Sequence, residues 1–323
     1  MSKDINGQFV DSTKGLLEVT EYPKVCIIIL NWNGLQDTNE CLESIRKISY
    51  PNYEVIVVDN ASTGNDTEVL KEKFGDYIRL IENRKNYGFS EGNNIGMRYA
   101  LSNNPLPDYF LLLNNDTTVA PDFLTELVKV AESDPEIGIV GPKIYFYDFE
   151  GRKNVIWSAG GKVCWWHEPF YYHLGPTHND SPKYQVVKDV GFVSGAAMML
   201  KSHVAEEISF LNSQYFFGYE EIECCMKARK AGYKIIYVPN AKVWHKARIR
   251  YRSGYNPTIG DLTDYYYLIR NNFSPLVYYY HWMLLPILLF KWGITYLKRY
   301  RDKATLYKFL SDFSRFIIKR KGD

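Results

Sequence analysis

Residues 25–30 form an unbroken apolar run rich in β-branched side chains, and it stops at Asn31-Trp32-Asn33-Gly34. That is the pattern of a strand buried on both faces and feeding a turn. Cys41, Leu42, Ile45 and Ile48 then recur at helical spacing, which predicts a helix over 38–48 closed by Pro51. A second buried strand over 54–58 ends at Asp59-Asn60-Ala61-Ser62, and a helix is expected near 66–74. A third strand over 78–82 leads into an Asn- and Gly-rich loop, a helix from about 92 to 101, and a fourth strand over 109–113 that ends at Asn114-Asn115-Asp116. After Pro121 the pattern predicts a helix over 122–131 and a strand over 137–142. Short aromatic strands and Gly-rich turns follow to about Gly191, then an acidic helix from about Phe216 and a short strand over 234–238.

Strands alternating with helices in this way predict an α/β fold with a Rossmann-like, mostly parallel central sheet flanked by helices. Ligands bind such sheets at the carboxyl ends of the strands. Three of the predicted strands end there in polar residues, Asn31, Asp59 and Asp116.

Charge changes the picture at one end only. The formal net charge is +2, yet residues 298–323 carry nine basic against three acidic side chains, which leaves the remainder net acidic. A basic tail on an acidic body fits an anionic membrane surface better than a nucleic-acid groove. Within that tail Leu306, Phe309, Leu310, Phe313 and Ile317 recur at helical spacing between Lys308, Arg315 and Lys319, which predicts a basic amphipathic helix lying on a membrane or packed on the body. The apolar stretch 274–294 nearly reaches spanning length but is interrupted by His281, Pro286 and Lys291. Five cysteines (Cys26, Cys41, Cys164, Cys224, Cys225) are odd in number and lack metal-ligand spacing, so a reducing compartment is expected. The first twenty residues have no apolar core or cleavage site of a secretory signal. Asn-X-Thr/Ser triplets at Asn65, Asn115 and Asn272 are then chance matches.

The candidate chemistry has two readings at the acidic positions. Asp116, at the tip of a buried strand, has the exposure and rigidity of a ligand for Mg2+, which takes few protein carboxylates; it has equally the residue type of a turn former or cap. Asp59 suits a ribose or base contact, or a helix cap. Glu220, Glu221 and Glu223 open a helix whose later turns carry Lys227, Arg229 and Lys230. That arrangement complements a helix dipole, and crowded acids also tune a general base. His245, after the strand and Pro239, reads on its own as a structural residue, and residues 193–199 as a buried strand with a glycine bend.

Four ordered segments carry a family resemblance. They are Val25-Cys26-Ile27-Ile28-Ile29-Leu30-Asn31-Trp32-Asn33-Gly34, Val57-Val58-Asp59-Asn60-Ala61-Ser62, Asn86-Tyr87-Gly88-Phe89-Ser90-Glu91-Gly92-Asn93-Asn94-Ile95-Gly96 and Leu113-Asn114-Asn115-Asp116-Thr117. Together they resemble family 2 glycosyltransferases, nearest the rhamnosyltransferase-like enzymes of surface polysaccharide assembly. The resemblance covers roughly 24–250 and implies a GT-A fold and an inverting, metal-dependent transfer from a nucleotide diphosphate sugar, dTDP-rhamnose or a UDP-sugar, to a glycan or lipid-linked acceptor.

It also implies roles. Asn31 and Asn33 line the nucleotide pocket, and Asp59 contacts base or ribose. Asn86, Gly88, Phe89 and Asn93 shape the loop near ribose and diphosphate, with Asn115 and Gly195 beside the donor. Asp116 holds Mg2+ or Mn2+ with His245 nearby, although Asn114 stands where the family's first Asp is usual. Glu221, in the place of the family's Asp, is the base, with Glu220 beside it; Glu for Asp lengthens the arm by one methylene, which leaves Glu220 and Glu223 as alternatives. The domain expectation is a lead-in over 1–23, a catalytic domain over 24–250, and a C-terminal extension over 251–323 contacting the inner face of the cell membrane from the cytoplasm. A sugar-phosphate nucleotidyltransferase would need a Gly-rich, cationic loop after the first strand, which Asn31-Trp32-Asn33-Gly34 lacks. A non-catalytic carbohydrate-binding relative is the other alternative, and retention of Asp116 with Glu220 and Glu221 argues against it. No nucleic-acid partner is expected.

Overall fold

The computed structural model describes residues 22–163 and 171–246, together with two two-residue strands, Ser2–Lys3 and Phe9–Val10. Cys164 and the tail from 251 lie outside the described residues, and so do the predicted amphipathic helix and the 274–294 stretch. Among the described residues no helix is long and apolar enough to cross a membrane.

The body begins with strand β1 (Val25–Asn31), helix α1 (Leu35–Ile45), β2 (Tyr53–Asp59), α2 (Asp66–Phe74), β3 (Ile78–Glu82), α3 (Gly88–Leu101) and β4 (Tyr109–Asn114). These follow the predicted order, with α1 and α3 starting earlier than their apolar spacing indicated. At α1 the hydrophobic stripe of Cys41, Leu42 and Ile45 is preceded by a polar turn with Asp37 facing the positive helix end. Next come β5 (Thr117–Val119), α4 (Phe123–Ala131) and β6 (Ile137–Phe146). The antiparallel excursion holds β7 (Ile156–Ser158), β8 (Gly161–Val163), β9 (Tyr171–His173) and β10 (Lys188–Asp189). The chain closes with β11 (Ala197–Lys201), α5 (Ser202–Glu207), α6 (Glu220–Lys230) and β12 (Lys234–His245).

Ten strands make one sheet whose main path is β10-β12-β6-β11-β4-β1-β2-β3, with β5 on β12 and β7 on β6. The pairs β1/β2, β1/β4, β2/β3 and β6/β12 are parallel, and β11 runs antiparallel between β4 and β6. Alternation along β1 divides the core. Val25, Ile27 and Ile29 pack with residues of α1, α2 and α4 on one face, while Cys26 and Ile28 pack with α3, α5 and α6 on the other. Strand β12 runs on to His245, well past the predicted end at 238. The register shift between Val238 and Lys242 absorbs Pro239, and Pro142 is likewise carried within β6 opposite Val238. This extension delivers His245 to the carboxyl edge of the sheet.

Helix α3 approaches the sheet at glycine. A Cβ on Gly96 would lie 2.7 Å from Ile28 Cγ2 and 3.2 Å from Val58 Cγ2, and one on Gly92 would lie 2.5 Å from Leu30 Cδ1. Both Ile28 and Val58 are stiff, buried side chains, so the helix itself must rise if the gap is filled. Gly96→Val is expected to destabilise the protein by about 2 kcal/mol through overpacking. A urea midpoint equal to that of the parent would show that the close approach is not required.

Candidate active site

The carboxyl edge of the sheet is organised around Asn31, which is wholly buried. Its Nδ2 donates to Asp59 Oδ2 at 2.7 Å, Asp66 Oδ2 at 3.0 Å and Ser62 Oγ at 3.1 Å, and its Oδ1 accepts from Thr38 Oγ1 at 2.7 Å. Asn115 joins by donating to Thr38 Oγ1 at 2.9 Å. Asp59 is 2% exposed and accepts from the Ser62 backbone N and Oγ at 2.9 and 2.6 Å. Asn33 closes the ring: its N donates to Ser62 Oγ at 2.8 Å and its Oδ1 accepts from Thr63 N at 2.8 Å. The four predicted residues Asn31, Asn33, Asp59 and Asn115 therefore meet in one network. Asn31 and Asp59 form its buried floor rather than its surface.

A second group forms around the start of α3. Asn60 Nδ2 donates to Asn86 Oδ1 at 2.8 Å and to the Gly88 carbonyl at 3.1 Å, while Asn60 Oδ1 accepts from Tyr87 N and Asn83 Nδ2. Gly88 has φ +80, and a Cβ there would stand 2.5 Å from the Phe216 carbonyl oxygen. Glycine is required twice over, by the positive φ and by the close approach. Phe89 N donates to that same Phe216 oxygen at 2.6 Å, and Asn94 exchanges two hydrogen bonds with the Leu211 backbone at 2.7 and 3.1 Å. Asn93 Nδ2 turns back to the Phe89 carbonyl at 2.9 Å. Asn60 was not singled out from the sequence. Its signal lay in the Asp59-Asn60-Ala61-Ser62 segment, where a buried strand ends in successive side chains that hydrogen-bond.

The loop pinned by Phe89 and Asn94 leads into α6. Tyr219, with φ +69, precedes Glu220 and Glu221. Glu220 is buried, and Glu221 is partly exposed. A Cβ on Gly195 would lie 3.4 Å from Glu221 Cβ, so the stem of Glu221 rests on the Gly195 backbone. That places Glu221 beside the end of β4, where Asn114 N donates to the Ala196 carbonyl at 2.9 Å. Glu223 is committed elsewhere: it accepts from Asn212 Nδ2 at 3.1 and 3.2 Å and pairs with Lys227 at 3.1 Å.

At the tip of the turn between β4 and β5, Asp116 Oδ1 lies 3.0 Å from His245 Nε2, and Lys246 N donates to the Asp116 carbonyl at 3.0 Å. Lys246 Nζ lies 2.6 Å from Asp37 Oδ1 and 2.6 Å from Glu40 Oε2. Burial acts to lower the Lys246 ammonium and is outweighed by those two carboxylates, which hold it above the usual lysine range. Lys246 went unread in the sequence, although it directly follows His245. For Asp116, burial acts to raise the carboxyl, but His245, its own backbone N–H and Lys246 outweigh it and hold it below the usual carboxylate range.

The Asp116–His245 separation fits a divalent cation. Two adjacent ligands of an octahedral shell with bonds of about 2.1 Å stand about 3 Å apart. Among the described residues no group of three or more His, Cys, Asp or Glu could hold a metal ion; a cation held by two side chains takes further ligands from phosphate oxygens and water. The four described cysteines are buried and none offers a nucleophile; burial, the largest influence, pushes the thiols of Cys41 and Cys225 up to about 12.

This sheet, with its polar carboxyl edge and a reversed strand beside the central ones, is the GT-A fold of nucleotide-sugar-dependent glycosyltransferases. Crystallised GalNAc-T7 with UDP, GalNAc and Mn2+ superposes with a TM-score of 0.62 at 18% identity, over 77% of this chain and 48% of that one. The chain belongs to glycosyl transferase family 2, whose sequence profile matches residues 26–207. It is 26% identical to the low-salt glycan biosynthesis hexosyltransferase Agl10 of Haloferax volcanii over 86% of each chain. It is 23% identical to the N-acetylglucosaminyl-diphospho-decaprenol L-rhamnosyltransferase of Mycobacterium tuberculosis over 59% of this chain and 66% of that one. Against the uncharacterized protein y4gI of Sinorhizobium fredii it is 28% identical over 72% of its own length, but spans only 26% of that protein.

The depressed Asp116 carboxyl carries a pH signature. A folded-state pKa below the unfolded value of about 3.9 stabilises above that pH, and the stabilisation is lost as pH falls through the folded value. In EDTA, the stability advantage of the parent over Asp116→Asn should be present at about pH 5 and shrink below about pH 4. A gap that stays constant to pH 2, read from urea unfolding, would remove the His245 interaction as its source.

Proposed function

We propose that this protein is an inverting, metal-dependent hexosyltransferase that moves a sugar from a nucleotide diphosphate donor, dTDP-rhamnose or a UDP-sugar, to a glycan or lipid-linked acceptor in surface polysaccharide synthesis. The observation that carries this is the placement of two chemically distinct ends at one edge of the sheet, Asp116 with His245 at one and Glu221 on Gly195 at the other.

The network of Asn31, Asn33, Asp59 and Asn115 forms the nucleotide pocket, and the loop of Asn86, Gly88, Phe89 and Asn93 covers ribose and diphosphate. Asp116 and His245 would hold Mg2+ or Mn2+, and a bound cation supplies positive charge to the departing diphosphate. The imidazole favours Mn2+ over Mg2+, because nitrogen ligands suit transition metals. Glu221 takes the proton from the acceptor hydroxyl as its oxygen attacks the anomeric carbon. The bond from that carbon to the diphosphate oxygen breaks on the opposite face, and the nucleoside diphosphate leaves. Glu221 is favoured over its neighbours because it is partly exposed, whereas Glu223 is held by Asn212 and Lys227 and Glu220 is buried. Contact of the tail beyond 251 with the cytoplasmic face of the membrane belongs to the proposal on sequence pattern alone.

Glu221→Gln removes proton acceptance with little change of volume. It is expected to lower transfer by 10²-fold or more while donor affinity, read by calorimetry, stays within about twofold. Transfer within a few-fold of the parent would move the base to Glu220. Asp116→Ala is expected to abolish the thermal stabilisation that a nucleotide sugar gains from added Mn2+. Unchanged Mn2+ dependence would make Asp116 a turn residue only.

A further inference from the structure

We infer that Trp157 is a positioning residue that sets the His245 imidazole against Asp116, an inference that rests on reading this pair as the metal site. A ligand histidine is commonly oriented by a hydrogen bond at its other ring nitrogen. His245 is 7% exposed, and its Nδ1 is buried without a hydrogen-bond partner among the described residues. Its Nε2 faces Asp116 at 3.0 Å, and on the Nδ1 side orientation comes from packing; the ring against it is Trp157, at 4.7 Å between centroids and 89° between planes. Trp157 Nε1 is likewise buried without a partner among the described residues, so no hydrogen bond at Nδ1 of His245 or at Nε1 of Trp157 fixes these rings.

Trp157 is itself held from behind. Its ring lies 4.9 Å from His173, which lies 5.1 Å from the wholly buried Phe192. Phe192 continues to Tyr171 at 5.6 Å, and Tyr171 to Tyr219 at 5.3 Å, the residue directly before Glu220. A Cβ on Gly161 would stand 2.1 Å from the Phe192 ring, so the middle of this series has no slack. The series of rings runs from the imidazole to the start of the acid-bearing helix. Trp157 transmits that fixed frame to His245, as a second hydrogen bond would in other sites.

The test is Mn2+ alone titrated into the full-length parent, Trp157→Phe, Trp157→Leu, Trp157→Ala and Asp116→Ala, by calorimetry and electron paramagnetic resonance. Loss of ring packing should weaken Mn2+ binding about 10-fold or more in the Leu and Ala variants, and Phe should stay within about threefold of the parent. Leu keeps most of the volume and guards against misfolding of the Ala variant. A second readout needs no metal: in EDTA, nitrogen NMR should show His245 as a single Nε2–H tautomer in the parent and Phe variant, and as a mixture in the Leu variant. Parent-like Mn2+ affinity and a single tautomer in Trp157→Leu would overturn the inference while leaving Asp116 as ligand. No Mn2+ binding by the parent, or unchanged binding by Asp116→Ala, would overturn the metal reading and this inference with it.

Discussion

The carboxyl edge of this sheet depends on one buried side-chain amide. Asn31 ends the central strand and touches residues from four other segments: Thr38 on α1, Asp59 at the end of β2, Ser62 in the following turn and Asp66 at the start of α2. Two amide protons are shared among three acceptors, and the carbonyl oxygen is satisfied by a hydroxyl. In a dry interior each of these groups is expensive to leave unmade, so the network holds as a unit or not at all. An apolar residue at this position would strand two carboxylates, and an acid would add a third. A side-chain amide supplies two N–H donors and a carbonyl acceptor, which matches this set of partners. Because both strand ends and both helix starts are fixed to it, the floor of the candidate nucleotide pocket is rigid before any ligand arrives.

A second constraint ties that floor to the far side of the site. Helix α3 rests on the sheet through Gly92 and Gly96, and its start is bonded to the segment before α6 through Phe89, Asn94 and the glycine contact at Gly88. The donor loop and the acids of α6 are therefore neighbours through one backbone hydrogen bond, from Phe89 N to the Phe216 carbonyl, and two between the Asn94 side chain and the Leu211 backbone. Positive φ at Tyr219, a residue that disfavours it, turns the chain so that Glu220 and Glu221 occupy the first helical turn over Gly195. The turn brings the stem of Glu221 onto Gly195, beside the end of β4.

The strands and helices of the first half were legible because each is a continuous apolar run or a clean helical stripe, and each ends in Asn, Asp or Gly. The polar residues at the ends of β1, β2 and β4 could be read as a site because the fold class dictates where such ends gather. What was not legible required knowledge of partners distant in sequence. Asn31 and Asp59 looked like ligand-facing residues, and their sequence neighbourhoods carry no sign that they saturate one another below the surface. The full length of β12 was hidden by Pro239, which normally ends a strand, since the register shift that absorbs it is a property of pairing with β6. Glu223 was indistinguishable from Glu221 until Asn212 was placed beside it. Lys246 and Trp157 carry no local pattern at all, and their roles arise only where β12, α1 and β7 converge.

The presence of Asn114 where a second acid is usual bears on the electrostatics of the proposed site. With one carboxylate and a neutral imidazole facing a divalent cation, the protein contributes a single negative charge there, and the complex keeps net positive charge for the diphosphate. A second carboxylate would bind the free cation more tightly but leave less of its charge for the leaving group. The lysine next to His245 does not supply the difference, because Asp37 and Glu40 already hold its ammonium. Its work is to fix the backbone that carries both His245 and the hydrogen bond to the Asp116 carbonyl. On this reading, cation affinity in the absence of donor is modest, and the diphosphate completes the coordination shell. A site built this way relies on the orientation of its few protein ligands more than on their number, which is why the rings behind His245 belong to its chemistry as well as to the core.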